Sequence, residues 1–434
     1  MNRVNSWGLL DYARTEVREF SNFQEDTDGT GQPSRKFIPM GAGRSYGDVG
    51  LNPGSLGVST SHLNKMLSFH EGLGVLECES GVLIRDIQST FSSRGWISPV
   101  TPGTSFVTVG GAIANDVHGK NHFSMGSFGN HVLELVLLRT NGEAVVCSET
   151  QNPEMFAATI GGLGLTGIIL SAKIKLSRIP SPWIRSEKQI FHDLTGFFEL
   201  SQESEHSFES SVAWFDCSTR KAGRGSFLRG NHVHSHRETP RTPNSSFKFP
   251  LTPPFSFVNR FSLNPMNMAY FQLQKLSKGV RLESMWDFYY PLDSIRNWNR
   301  AYGTKGFYQY QSVIPLDASK EATKEMMSII SKSGMGSFLA VLKVFGSIPS
   351  KGLLGFPMEG VTLALDFPNN REKTEKLFKE LDAVVLSAKG RLNPSKDARM
   401  SPEMFEAGYP KSAEFVKHRD MGITSGFSKR IFGS

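Results

Sequence analysis

Four glycine-rich segments lie in the first 170 residues, where small side chains would let the backbone approach a ligand closely. They occupy residues 41–48, 102–104, 108–121 and 161–167. Backbone N–H groups in such segments bind anions, and a helix beginning near Gly110 would direct its N-terminus at a pyrophosphate. The first segment departs from G-x-G-x-x-G because its third glycine comes one residue late, and no acidic residue follows in a ribose-binding context. These segments predict a large, elongated cofactor outside the Rossmann fold.

A second group of polar side chains lies on a predicted strand at residues 307–315. Gln309 and Gln311 share one face of this strand, and its tyrosines share the other. An amide both donates and accepts hydrogen bonds, so paired glutamines match the hydroxyl groups of a sugar. One face of the neighbouring predicted strand carries Thr362, Ala364 and Asp366. The pattern predicts a substrate site on this sheet.

The elements that would position this site follow a β-α-β-β-α order over residues 307–390. Asp317 is predicted to cap the first helix, which ends at Gly334, and Asn370 to cap the second, which ends at Gly390. That order predicts an antiparallel sheet with helices on one face, in an α+β fold.

Length and composition leave room for two or three domains with a proper core, since the chain has 434 residues, 38% of them apolar. The net charge of +7, from 48 basic and 41 acidic residues, is compatible with anionic ligands or a membrane surface and selects neither. No basic stripe with interleaved aromatic residues indicates nucleic-acid binding.

Three widely spaced cysteines predict free thiols and no zinc site. We expect no signal peptide and no transmembrane helix, because no long apolar run is present.

Residues 232–260 are rich in Pro, Ser, Thr and His and predict a long, mobile surface insertion. His232, His234 and His236 alternate there and could bind a metal. No carboxylate pattern accompanies them, so a solvated loop is the favoured interpretation and no metal site is predicted.

Several motifs together resemble the vanillyl-alcohol-oxidase-type FAD flavoproteins, and more closely the decaprenylphosphoryl-β-D-ribose 2-oxidase family. They are GAGRSYGD, TPGTSFVTVGGAIANDVHGKNH, SMGSFGNHV, IGGLGLTGIIL, FYQYQSVIP, LKVFG and RLNPSKDAR. The resemblance covers nearly the whole chain apart from the insertion. It implies a two-domain fold: an FAD-binding domain at residues 1–180, a substrate domain with an antiparallel sheet at 181–392, and a C-terminal return to the FAD domain at 393–434.

The resemblance implies that FAD is bound without a covalent link, because Arg44 stands where many members of the class carry the linking histidine. Each residue expected at the cofactor belongs to one of the glycine-rich motifs. They are Gly41, Ala42, Gly43, Arg44, Ser45, Tyr46, Pro102, Gly103, Thr104, Thr108, Gly110, Gly111, Ala112, Ala114, Asn115, His118, Gly119, Asn121, Ser127, Gly162, Gly164, Gly167 and Ile168.

The resemblance also implies which residues act on the substrate. Lys396 matches a lysine beside flavin and substrate, and it would serve either as a base with a lowered pKa or as a group that orients the hydroxyl. His118 and Lys120 are the other catalytic candidates, and Lys120 could bind a substrate phosphate. The expected substrate-binding residues are Tyr46, Gln309, Gln311, Arg300, Tyr289, Lys343, Thr362 and Ala364.

Three pocket positions depart from the actinobacterial relatives. Ala364 replaces a cysteine near the flavin, Thr362 an asparagine and Asn393 a tyrosine. No step of hydride transfer requires a thiolate, so the reaction is expected to survive, whereas inhibitors that attack the thiol should fail.

The implied reaction is oxidation of the C2 hydroxyl of a polyprenylphosphoryl ribose, completed by a separate NAD-dependent short-chain reductase. A lipid-linked substrate predicts peripheral contact with the inner membrane from the cytoplasm, with residues 247–261 as a candidate docking loop or a cover over the active site. One alternative is an aldonolactone or alditol oxidase acting on a soluble sugar. Another is a flavoprotein without enzymatic activity, which the retained Lys120, Gln311 and Lys396 disfavour.

Overall fold

The computed structural model describes residues 2–10, 15–20, 35–217, 223–243, 247–259 and 261–433. The first part of the chain supplies these strands and helices: β1 (Asn2–Val4), β2 (Thr15–Glu19), β3 (Phe37–Met40), β4 (Leu56–Ser59), β5 (Met66–His70), β6 (Val75–Glu79), α1 (Ile84–Phe91), β7 (Trp96–Ile97), α2 (Val109–Ala114), α3 (His122–Met125), β8 (Val132–Leu138), β9 (Ala144–Ser148), α4 (Pro153–Thr159), β10 (Ile168–Lys175) and β11 (Ser177–Arg178).

The rest of the chain continues the series. Its elements are β12 (Trp183–Phe191), α5 (Leu194–Ser204), β13 (Ser210–Phe215), β14 (Gly225–Val233), β15 (Phe247–Lys248), α6 (Leu263–Leu276), β16 (Gly279–Ser284), α7 (Met285–Tyr289), β17 (Ile295–Arg296), β18 (Phe307–Ile314), α8 (Leu316–Ser333), β19 (Ala340–Phe345), β20 (Gly360–Pro368), α9 (Glu372–Ser387), β21 (Arg391–Leu392), α10 (Pro402–Gly408), α11 (Ser412–Val416) and α12 (Gly426–Phe432).

Two sheets carry the glycine-rich segments. A four-stranded sheet has the order β1-β2-β4-β3, and a five-stranded antiparallel sheet has the order β5-β6-β10-β8-β9. The first glycine segment directly follows β3, and α2 begins at Val109, as the helix predicted near Gly110 requires. The C-terminal part returns to the first sheet, where the Ile423 backbone pairs with Phe37 and Arg430 forms an ion pair with Asp48.

The second half forms one eight-stranded antiparallel sheet in the order β16-β12-β14-β13-β19-β20-β18-β21. The proposed boundaries at residues 180 and 392 therefore fall at the ends of this sheet. Helices α8 and α9 bury their apolar faces with it. The predicted β-α-β-β-α order and antiparallel pairing are confirmed.

Three local predictions were wrong. The N-cap residues of α8 and α9 are Pro315 and Arg371, so Asp317 and Asn370 do not cap these helices. The Asp317 carboxylate instead accepts a hydrogen bond from the Ala318 N–H inside the first turn. His232 is not in a solvated loop either: it is the second-last residue of strand β14, where burial and a 2.7 Å contact between its Nδ1 and Glu209 Oε2 hold it.

The three cysteines are free and buried. In the described part of the chain, every helix is too short or too polar to cross a bilayer.

Candidate active site

A cleft of about 610 Å³ lies where the glycine segments face the eight-stranded sheet. Gln309, Gln311 and Ala364 reach it from β18 and β20, whose register places Gln309 opposite Asp366 and Gln311 opposite Ala364. The two halves of the chain thus meet at one cleft, with backbone-rich walls on one side and polar side chains on the other.

Close backbone approach explains the glycines of this wall. A Cβ atom at Gly41 would overlap the Thr108 hydroxyl, and one at Gly47 would overlap the carbonyl oxygen of Asp397. Without those atoms the first glycine segment lies directly against α2 and against the loop that carries Lys396. The Thr108 hydroxyl caps α2 by accepting a hydrogen bond from the Gly111 N–H at 3.1 Å.

Several buried polar atoms of the cleft residues lack a protein partner. They include the Ser80 hydroxyl oxygen, the Asn115 Oδ1 and the Arg44 Nε. Buried polar groups are normally hydrogen-bonded, so these atoms indicate a polar ligand in the cleft. Glycine walls and unsatisfied polar atoms together fit the phosphates and ring edges of FAD.

Most of the predicted cofactor residues line the cleft. Those that do are Gly41, Ala42, Gly43, Arg44, Ser45, Tyr46, Pro102, Gly103, Thr104, Thr108, Gly110, Gly111, Ala114, Asn115, His118, Gly164 and Gly167. Those outside its lining are Ala112, Gly119, Asn121, Ser127, Gly162 and Ile168. The second set supports the wall from behind: the Asn121 amide donates to the Pro99 carbonyl, and the Ser127 hydroxyl donates to buried Asp116.

The predicted catalytic and substrate residues divide in the same way. Lys396, His118, Tyr46, Gln309, Gln311, Lys343 and Ala364 line the cleft, whereas Lys120, Tyr289, Arg300 and Thr362 do not. The Lys120 ammonium donates to the carbonyls of Phe288 and Tyr289, and burial lowers the pKa of Lys120 to about 8. The Arg300 guanidinium donates to the Phe249 and Pro250 carbonyls.

A chain of hydrogen bonds crosses the cleft floor and has one direction. Asn393 Oδ1 accepts from the Ser395 N–H, so the Asn393 NH₂ group donates to Gln311 Oε1 at 3.0 Å. Gln311 must then present its own NH₂ group to Thr362 and to Nε2 of His118, at 3.2 and 3.1 Å.

This direction determines the tautomer of His118. Burial, followed by the charge of Lys343, holds the pKa of His118 well below its usual value, so the imidazole is neutral. Because Nε2 accepts from Gln311, the single ring proton sits on Nδ1, which points at the Lys343 Nζ 3.2 Å away. That bond needs a neutral amine, in agreement with the burial that lowers the pKa of Lys343 to about 7.

Lys396 lies beside this chain. Its Nζ is 4.2 Å from the centroid of the Tyr46 ring, and burial lowers its pKa to about 8 against the opposing charge of Asp366. Asp366 is fully buried, accepts a 2.7 Å hydrogen bond from the Gln309 amide, and has a pKa raised by burial to about 7. An amine with such a pKa can accept a proton near neutral pH.

Sequence reasoning placed Asp366 on the correct strand face and assigned it no part in the site. Asp293 was missed altogether. Its carboxylate accepts from the Thr104 hydroxyl at 2.6 Å and from the Ser105 N–H at 2.7 Å, so it fixes the second glycine segment. Asp293 stands between Leu292 and Ser294, and this sequence context carried no signal for the long-range contact.

The sequence family described as an FAD binding domain matches residues 30–148. With the cleft geometry, this match makes the chain an FAD-binding flavoprotein of α+β class, as predicted. It is also 36% identical over 397 residues to the decaprenylphosphoryl-β-D-ribose oxidase of Mycolicibacterium smegmatis, covering 89% of this chain and 85% of that protein. The chain belongs to the decaprenylphosphoryl-β-D-ribose oxidase family and is an FAD-dependent oxidoreductase.

Other relatives are less informative about the substrate. An uncharacterised protein of Streptomyces coelicolor is 28% identical over 342 residues, which cover 75% of this chain and 91% of that protein. A putative D-arabinono-1,4-lactone oxidase of Neurospora crassa is 28% identical over 161 residues, which cover 36% of this chain and 29% of that protein. The lactone oxidases among these relatives match about a third of this chain, so their support for the soluble-sugar alternative is partial.

Proposed function

We propose that the protein oxidises the C2 hydroxyl of a polyprenylphosphoryl-β-D-ribofuranose to the 2-keto sugar, the first half of epimerisation to an arabinose donor. The observation that carries this proposal is the meeting, in one cleft, of a glycine-lined cofactor wall with the Lys396, Gln309 and Gln311 side chains. The name of the Mycolicibacterium relative supplies the substrate class.

The cofactor would lie along the wall formed by residues 41–46, 102–104 and 108–115, with its phosphates toward the start of α2. Bound FAD supplies the acceptor for two electrons and a hydrogen. Arg44 stacks over the Trp7 ring at 4.5 Å and over the Phe106 ring at 5.3 Å, and a guanidinium cannot form the covalent link of a histidine.

We expect the flavin to be released by acid. Precipitating the yellow protein should leave FAD in the supernatant, because Arg44 stands where a linking histidine would be and a guanidinium forms no such link. Absorbance of pellet and supernatant measures this, with a covalent flavoprotein as the matched control. Flavin that stays with the pellet contradicts non-covalent binding.

Each side chain of the polar wall has an assigned task. Neutral Lys396 accepts the proton of the sugar hydroxyl, while Gln309 orients the sugar and is itself held by Asp366. The chain from Asn393 through Gln311 keeps His118 in one tautomer. Lys120 positions the segment around Tyr289 through its two carbonyl contacts, which leaves proton transfer to Lys396.

A 2-keto sugar must be reduced from the opposite face to complete an epimerisation, and we propose a separate NAD-dependent short-chain reductase as the partner for that step. A polyprenyl tail requires peripheral membrane contact. The cytoplasmic side of the inner membrane is the proposed location, and the three buried free thiols support it.

Anaerobic mixing tests the substrate. Polyprenylphosphoryl ribose should bleach the flavin absorbance, and free pentoses or aldonolactones should leave it unchanged, because the lipid phosphate anchors the sugar at the cleft. Bleaching by lactones with none by the lipid-linked sugar would favour the soluble-sugar oxidase instead.

A further inference from the structure

Exposed apolar side chains are concentrated in one stretch. Of the eighteen large hydrophobic residues that are exposed in the described part of the chain, eleven lie from Phe247 to Ile295. Leu251 and Leu276 are the most exposed, at 76% and 82%. The others are Phe247, Phe255, Phe257, Phe261, Met266, Met268, Leu273, Val280 and Ile295. A patch of this density marks an interaction surface.

The part of this stretch from Phe247 to Arg281 is also basic. It contains five lysines and arginines and no aspartate or glutamate, and the three acidic residues of the stretch, Glu283, Asp287 and Asp293, all follow it. An apolar surface whose charged residues are all basic favours an anionic partner. It disfavours pairing with a second copy of the chain, because that copy would bring the same positive charge.

Helix α6 shows how the apolar groups are presented. Leu263, Asn267 and Phe271 are its buried residues, so the helix is anchored by one face. The outer side of α6 carries a second apolar stripe at helical spacing, formed by the exposed residues Met266, Ala269, Leu273 and Leu276. A helix that exposes an apolar stripe beside lysines has the pattern of one that lies in a membrane interface.

The surface continues to the mouth of the cleft. Strand β15 pairs in parallel with β17, and both residues of β17 line the cleft. The Arg300 guanidinium donates hydrogen bonds to the carbonyls of Phe249 and Pro250, just after β15. The Phe257 N–H donates to the Ala301 carbonyl. The apolar segment is therefore held next to the place where a substrate enters.

We propose that residues 247–259 and 261–281 form a docking surface for a bilayer that contains anionic lipid, and that docking holds the cleft mouth at the headgroup layer. Lysines and arginines would contact phosphate headgroups, and the α6 stripe with the phenylalanines would enter the acyl boundary. The proposal rests on the proposed function for one point, that the substrate resides in that bilayer.

Vesicle flotation of the FAD-loaded full chain tests the surface. The probes are vesicles of phosphatidylcholine alone and of equal parts phosphatidylcholine and phosphatidylglycerol. We expect binding to the anionic vesicles that weakens with added salt. The double variant Lys275→Gln with Lys278→Gln should bind about 25-fold more weakly. Leu273→Ser with Leu276→Ser should lose about tenfold or more.

Matched controls remove exposed leucines and lysines elsewhere. Leu67→Ser with Leu73→Ser, and Lys376→Gln with Lys379→Gln, should bind vesicles as the wild type does. All variants should reduce flavin at the wild-type rate with substrate in detergent, which shows that they fold and separates docking from catalysis.

Three results would overturn the docking surface. The first is a wild-type protein that does not float with the anionic vesicles, and the second is a pair of α6 variants that float as the wild type does. The third is a wild-type dimer that the leucine variant converts to a monomer. If vesicles bind as expected but lipid-linked ribose never bleaches the flavin, the proposed function fails while the surface stands.

Discussion

Replacing Lys396 with alanine is expected to slow reduction of the flavin by about 10³-fold while the protein keeps its FAD. Lys396 lies in the cleft against the Tyr46 ring, and burial lowers its pKa to about 8, so a sizeable fraction is neutral at physiological pH. Removing the amine leaves the hydroxyl proton without its acceptor. Stopped-flow absorbance measures the rate, and Lys379→Ala on the exposed side of α9 is the matched control.

The pH profile identifies the role of this amine. A neutral base becomes more abundant as pH rises, so the wild-type rate should increase through about pH 8, and the alanine variant should lose that inflection. The charge of Asp366 raises the pKa of Lys396, so Asp366→Asn should move the inflection to lower pH while its amide oxygen still accepts from Gln309. A rate that falls above pH 8 would mean that the ammonium form acts, and an unchanged rate in Lys396→Ala would remove the residue from the mechanism.

Replacing Gln311 with glutamate is expected to lower kcat/KM by about 10²-fold although the side chain keeps its size. A carboxylate has no proton for Nε2 of His118, so it would draw the ring proton from Nδ1 to Nε2. Nδ1 would then accept from Lys343 and favour the ammonium form of that lysine, which places a new positive charge in the cleft.

Two measurements follow this tautomer change. The ¹⁵N chemical shifts of His118 should exchange between its two nitrogens, and the pKa of Lys343 should rise from about 7. Gln202→Glu, at an exposed position of α5, controls for the added charge. Unchanged ¹⁵N shifts in Gln311→Glu would show that the chain of amides does not determine the tautomer.

The strand faces of this site were predictable because a period of two decides them locally. Gln309 and Gln311 point to one side whatever the rest of the chain does, and the antiparallel pairing of β18 with β20 confirmed the predicted sheet. The glycine segments were predictable for a similar reason, since close backbone approach demands small residues.

The charges of the site were not predictable in this way. The lowered pKa of Lys396 depends on burial between Tyr46 of the first glycine segment and Asp366, which are 350 and 30 residues away in sequence. The tautomer of His118 depends on amides from two other elements. Arg300 and Tyr289 show the converse: the resemblance implied that both bind the substrate, yet they lie outside the cleft lining, because a resemblance in sequence does not specify which side chains face a cavity.

Flavin reduction by polyprenylphosphoryl ribose that carries deuterium at C2 tests the central claim most directly. If the C2 hydrogen is transferred in the step that bleaches the flavin, the deuterated sugar should reduce it several-fold more slowly than the unlabelled sugar in the same anaerobic stopped-flow experiment. Equal rates with a label at C2, together with slower reduction with a label at another ring carbon, would contradict oxidation at C2.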